Sequence, residues 1–243
     1  MTPSAGTGSA VATTAGEFER RLEQLRTPEE LARNERNLKT DDADRFIGVR
    51  MGRIFSLARE LMDMAPAEIE ALLESPVHEV RVGAVSIMDW QARSRTTTAE
   101  RRRELFDLYI RRHDRINAWD LVDRSAIWVV GEYLRDKPRD ILYRLARSDS
   151  PWERRTAILS TAAFIRRGDL DDTFAIAELL RADSHDLVQK AVGWMLREAG
   201  KVDVSRLRAF LDARAASMPR MMLRYAIEKL DPDIRKAYLG RRA

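Results

Sequence analysis

Five alanine pairs set a period on this chain: Ala84-Val85, Ala126-Ile127, Ala157-Ile158, Ala191-Val192 and Ala226-Ile227 follow at spacings of 42, 31, 34 and 35 residues. Stacked helical pairs need such a repeat, because the alanine lets neighbouring helices approach and the next apolar side chain fills the seam. Polar or proline turns open several copies, at Glu74-Ser75-Pro76, Ser148-Asp149-Ser150-Pro151 and Ala182-Asp183-Ser184, and these residue types start helices. No segment alternates with period two, so the predicted fold is all-α, a solenoid of HEAT-like repeats.

Helices are expected almost without interruption from Glu17. Thr27-Pro28-Glu29-Glu30 and Thr97-Thr98-Ala99-Glu100 read as capping boxes. Breaks are expected near Thr40 to Asp42, Met64 to Pro66, Ser94 to Thr98, His113 to Asn117, Asp136 to Pro138, Gly168 to Asp169, Gly200 to Asp203 and Asp231 to Asp233. Residues 1 to about 15 are small, polar and glycine-rich, and read as a disordered tail before a single domain at 16–243.

A hydrophobic share of 44% is enough for a continuous core. No apolar run approaches the roughly 18 residues of a membrane span, and no leader pattern opens the chain. A soluble, cytoplasmic, monomeric protein is the expectation. With no cysteine, disulfides, thiolate catalysis and iron–sulfur ligation are excluded. The formal net charge is only +4, yet arginine supplies 37 of the 43 basic residues. Arginine suits forked contacts with phosphate and stacking on rings better than lysine does, and a GC-rich genome would raise its share equally well. The runs Arg101-Arg102-Arg103 and Arg111-Arg112 read as solvated helix faces.

His78, His113 and His185 stand singly, without ligand spacing, so no metal site is expected, and each reads as a helix-start or surface histidine. Phosphate-binding glycine loops, nucleophile elbows and dinucleotide fingerprints are absent. What remains is Trp119 and Asp123, four apart and so on one helix face, with Trp152, Arg154, Arg155, Lys190, Trp194 and Arg197 in later repeats. From the residues alone, Asp123 is either catalytic or the partner of Arg124 or of an arginine one repeat away. Trp90, Trp128 and Trp152 read as packing. Asp123 lies three before its repeat alanine and Trp194 three after its own. That offset of roughly 600° around a helix means periodicity does not make them converge.

The blocks Asn117-Ala-Trp119-Asp-Leu-Val-Asp123, Trp152-Glu-Arg-Arg155-Thr-Ala-Ile-Leu159 and Gln189-Lys-Ala-Val-Gly-Trp194-Met-Leu-Arg-Glu198, with the upstream Arg45-Phe46-Ile-Gly48-Val49-Arg50, resemble the alkylpurine DNA glycosylases of the AlkD type. The resemblance runs in order from about residue 30 to the C-terminus. It implies HEAT-like repeats curved into a basic concave cradle for duplex DNA, and hydrolysis of the bond between deoxyribose and a cationic base such as N3-methyladenine or N7-methylguanine. By resemblance neither cofactor nor metal is needed, the base is not extruded into a deep pocket, and bulky adducts are tolerated.

The same resemblance implies that Asp123 stabilises the developing sugar cation while Trp119 and Trp194 flank the lesion. It implies DNA contacts for Arg155, Arg197, Lys190, Arg154 and Arg50. Two departures stand out: Met51-Gly52 where the family places a proline two residues beyond Arg50, implying a looser helix start, and no aromatic before Lys39-Thr40 near Asn37-Leu38. Two further classes stay open, a catalytically inactive binder of branched or distorted DNA on the same scaffold, and a HEAT-like scaffold for an acidic protein partner.

Overall fold

A computed structural model of the protein describes residues 13–37 and 44–241. Most of the expected tail and the expected break at Thr40 to Asp42 lie outside them, as does the departure at Leu38-Lys39. Among the described residues every regular element is helical, and the single β-bridge joins Arg45 to Val77.

The helices form two layers. The front layer stacks α3 (Met51–Glu60), α5 (His78–Arg93), α7 (Trp119–Ser125), α10 (Pro151–Ser160), α13 (Asp186–Val202) and α15 (Arg220–Ala226), each packed on the next. Behind them lie α4 (Pro66–Leu73), α6 (Ala99–Arg111), α9 (Asp140–Leu145), α12 (Asp171–Leu179), α14 (Val204–Arg214) and α16 (Pro232–Gly240), and the short helices α8 (Glu132–Leu134) and α11 (Ala162–Ile165) lie beyond the C-terminal ends of α7 and α10. At the N-terminal end, α1 (Ala15–Glu23) packs on α3 and α4, and α2 (Pro28–Asn37) follows it. This is the HEAT-like all-α stack read from the repeat. Ala84, Ala126, Ala157, Ala191 and Ala226 all sit in or directly after front-layer helices and are essentially inaccessible, so the small-residue seam is where successive repeats meet.

Local chemistry sets the helix starts. Thr14 Oγ1 accepts from the Glu17 amide at 3.2 Å, Thr27 Oγ1 from Glu30 at 3.3 Å and Thr98 Oγ1 from Arg101 at 3.1 Å, satisfying amides that lack an intrahelical partner. The seven described breaks fall where expected, although between α13 and α14 only Asp203 interrupts, and it caps α14 by accepting from the Arg206 amide at 3.0 Å. Helix α3 starts at Met51 even without the proline; its cap residue Arg50 makes no side-chain capping bond.

The chain continues from α7 into a π-helix, Ala126–Gly131, which the sequence did not announce. A Cβ on Gly131 would lie 2.2 Å from the Ser160 carbonyl oxygen, so this residue type lets the π-helix touch the end of α10. Backbone cannot retreat as a flexible side chain does. Gly131→Ala is expected to destabilise the fold by about 1–3 kcal/mol, read as a fall in the midpoint of thermal unfolding by circular dichroism.

Candidate functional site

Trp119 and Asp123 occupy successive turns of α7, which places both side chains on one face. Trp119 is 37% exposed, unusually high for a tryptophan. Asp123 is held by Arg155 of the next repeat through a two-point fork, Nε to Oδ1 at 2.7 Å and Nη2 to Oδ2 at 2.8 Å. Arg155 Nη1 also donates to the Leu187 carbonyl at the start of α13. One guanidinium therefore spans α7, α10 and α13. Of the two partners left open by the sequence, Arg155 takes Asp123, while Arg124 pairs with the buried Asp89 at 3.1 Å. An ionised carboxylate has about four acceptor positions; the fork uses two, and the Asp123 side chain remains 23% exposed.

Lys190, Trp194 and Arg197 lie at spacings of four and three along α13, continuing the face that begins at Leu187. Trp194 is half-buried and lines a cavity of about 240 Å³ with Ile127, Ala162, Ile165, Arg166, Met195 and Glu198. Ile127, four residues beyond Asp123, shares this cavity with Trp194. The helices that carry Asp123 and Trp194, α7 and α13, both pack against α10, which lies between them.

The five side chains expected on DNA fare differently. Arg155 is only 5% exposed and its fork is spent on Asp123, so its place in the structure is to orient that acid rather than to meet a phosphate. Arg154 binds Asp183 at 2.6 Å and the carbonyls of Ser148 and Asp149. Arg197 is engaged by Glu198 and Glu228. Arg50 and Lys190 have no carboxylate partner among the described residues and keep their charge available.

Sequence reasoning missed a second cluster beside this face. His78, Glu79 and Arg81 open α5 and are at most 1% exposed. His78 Nε2 donates to Asp120 Oδ2 at 2.7 Å, and its Nδ1 lies 3.6 Å from Asp44. Arg81 meets Asp44 at 2.7 Å, the Ser75 carbonyl at 3.1 Å and Asn117 Oδ1 at 3.4 Å. Glu79 accepts from the Gly48 amide and from Asn34 Nδ2, both at 2.9 Å, and from the Ile47 amide at 3.2 Å. Gly48 has φ +80° and no room for a Cβ, which would sit 2.5 Å from the Thr27 carbonyl, so glycine is required where this turn folds onto Glu79.

Burial pushes the His78 imidazole down, but the hydrogen bond to Asp120, the neighbouring Asp44 carboxylate and the Asp120 charge overturn that and raise its pKa to about 9. Burial pushes Asp44 up, and the nearby His78 ring and Arg81 guanidinium bring it to about 2. The other histidines start helical turns as expected. His113 is nevertheless buried against Thr156 at 2.9 Å, and His185 caps α13 with its ring 5.5 Å from Trp152. Trp90 and Trp128 pack as expected, with Arg124 stacked on the first and Arg93 and Arg166 on the second. Among the described residues no group of three or more histidine or acidic side chains is arranged to hold a metal ion, and no helix is long and apolar enough to cross a membrane.

The sequence model of the DNA alkylation repair enzyme family matches residues 18–230, and the chain belongs to that family. No curated protein matches it. A solved structure from Enterococcus faecalis, described as a predicted DNA alkylation repair enzyme, superimposes with a TM-score of 0.66 at 16% identity. It covers 85% of this chain and 97% of its own, which establishes the shared fold.

The raised pKa of His78 gives stability a defined pH dependence. Its contribution is fully present below about 6.5 and is lost as pH rises through about 9, because only the folded state holds the proton there. Asp44 acts oppositely, contributing above about 3.8 and losing that contribution as pH falls toward 2. Urea unfolding at pH 6 and pH 10 is expected to differ by about 3 kcal/mol, and His78→Gln should remove most of that difference.

Proposed function

We propose that the protein is a DNA glycosylase that hydrolyses the N-glycosidic bond of cationic alkylated purines, such as N3-methyladenine and N7-methylguanine, in duplex DNA. The observation that carries this reading is a partly exposed carboxylate, Asp123, fixed in orientation by Arg155 and stacked one turn from the exposed ring of Trp119.

Alkylation at N3 or N7 makes the purine a cation that departs as a neutral base, so its departure needs no general acid. The costly species is the oxocarbenium-like sugar. A preorganised carboxylate stabilises such a charge without reorganising at the moment of reaction, and it positions the attacking water. Asp123 supplies it, and Arg155 holds both oxygens so that the remaining lone pairs face outward. The positive charge of Arg155 tempers the acid's field, so the fork acts in favour of aim over basicity. Faces of Trp119 and Trp194 attract the cationic base, by about 0.5–2 kcal/mol each. Arg50 and Lys190 are the cations best placed to meet backbone phosphates, and the front layer would form the basic, concave DNA-binding face. The reading requires no cofactor, and the protein would act as a monomer in the cytoplasm.

The alternative, a non-enzymatic binder of distorted DNA, draws on the same fork, since an acid paired in two points with Arg155 also serves as a structural tie. Release of methylated bases separates them. Wild-type protein incubated with methylated duplex should release N7-methylguanine and N3-methyladenine, measured by mass spectrometry. Asp123→Asn should bind DNA normally and release base about 100-fold or more slowly; an unimpaired rate would falsify the role of the acid. Arg155→Lys, which keeps charge but loses the fork, should lower the single-turnover rate on the order of tenfold with little change in DNA affinity.

Lys190→Ala should act on binding alone. Its affinity for unmodified duplex should fall, and the slope of log affinity against log salt should shrink by about 1, as expected for one lost phosphate contact. Filter binding at several salt concentrations reads both.

A further inference from the structure

The proposed chemistry leaves the three charged side chains at the start of α5 without a task. His78, Glu79 and Arg81 are wholly buried in a helix whose next residues, Val82, Ala84, Val85, Ile87 and Met88, are apolar. Apolar side chains of similar volume would fill this space at lower cost, because desolvating ions is expensive even when they are paired. What apolar packing lacks is direction, and the partners of these three residues share a pattern. Glu79 binds the amides of Ile47 and Gly48, and Arg81 and His78 both reach Asp44, all in the segment that ends at Arg50. On the other side Arg81 reaches Asn117, just before α7, and His78 reaches Asp120 in its first turn.

Ala118, Leu121 and Val122 pack that turn into the core, but apolar contacts give it no direction. Its cap residue Ala118 makes no side-chain capping bond, and Trp119 leaves more than a third of its surface in solvent. We propose that His78, supported by Arg81, is a positioning residue that ties Asp44 to Asp120 and so sets Trp119 and Asp123 against the segment carrying Arg50. The tie stands on the geometry alone; its consequence for reaction rate rests on the glycosylase reading.

The protonation state matters for a simple reason. A neutral imidazole can donate its one N–H to Asp120 but has no charge with which to attract Asp44 3.6 Å away, whereas the imidazolium holds both carboxylates. The groups that face His78 are Asp44 from the 44–50 segment, Asp120 from α7 and Arg81 one turn along its own helix, with the Phe46 ring 5.3 Å away. The two acids outweigh the arginine and keep the ring charged at neutral pH. Loss of the proton removes the attraction to Asp44, and the first turn of α7 is then no longer tied through His78 to the 44–50 segment.

Three histidines and five tryptophans make the test direct. The full chain, labelled with 5-fluorotryptophan, is titrated by proton and fluorine NMR, with His78→Gln and Trp119→Phe assigning the resonances. One histidine should titrate near pH 9 and vanish in His78→Gln, and its midpoint should fall in Asp120→Asn. The Trp119 fluorine signal should move over the same interval in wild type and stay flat in His78→Gln. At pH 7, both variants should release base about 10- to 100-fold more slowly in single turnover, with DNA affinity close to wild type.

Asp120→Asn, checked by a cooperative thermal transition, carries the test should His78→Gln fail to fold. A Trp119 signal indifferent to the titration, with folded Asp120→Asn releasing base at the wild-type rate, overturns the proposal. Should wild type release no base, the glycosylase reading falls, while the histidine and fluorine titrations still decide the tie.

Discussion

Charge buried between successive repeats must find its partner in the neighbouring repeat, and this constraint organises the front layer. Asp44 with Arg81, His78 with Asp120, Asp89 with Arg124, Asp123 with Arg155 and Arg154 with Asp183 each join elements some 29–42 residues apart. Apolar packing supplies the stacking energy, but its contacts are non-directional and tolerate sliding. A buried ion left without its mate costs several kcal/mol, so these pairs admit one register of repeat on repeat. The alanine seam permits close approach, and the ion pairs select among the approaches it allows.

The functional face inherits its rigidity from that arrangement. Asp123 is the most exposed acid of the series just named, and its chain neighbour Arg124 does not take it because Arg124 is drawn to Asp89. Arg155 then couples the acid to α13, two turns before Trp194. Of the basic side chains expected on DNA, Arg154, Arg155 and Arg197 hold carboxylates and carbonyls of the protein itself, and Arg50 and Lys190 are left without a carboxylate partner among the described residues. A side chain's type announces which contacts it is able to make, whereas its burial decides which it does make.

Part of this is readable along the chain. The distance from His78 to Asp120 is 42 residues, the same as from Ala84 to Ala126, and Asp123 to Arg155 is 32, within one of the next interval. Opposite charges matched at the repeat offset therefore mark both ties in the amino-acid order itself. His78-Glu79-Val80-Arg81 is easily passed over because a run of charges at a helix start reads as a solvated cap. Nothing local marks the π-helix at Ala126–Gly131, where the residues Ala-Ile-Trp-Val-Val-Gly suit an ordinary helix.

The sequence by itself determined the all-α class, the repeat, the seam alanines and most helix boundaries, because caps, proline and 3.6-residue periodicity act over a few neighbouring residues. It also held the family likeness, in the order and spacing of Trp119, Asp123, Arg155 and Trp194. Only the tertiary structure decided that Arg155 grips Asp123, that His78 is shut between two acids, and that α10 packs against the helices of both Asp123 and Trp194. Those outcomes depend on how far each helix turns and tilts against the next, a sum of many weak contacts across repeats that no short stretch of chain encodes.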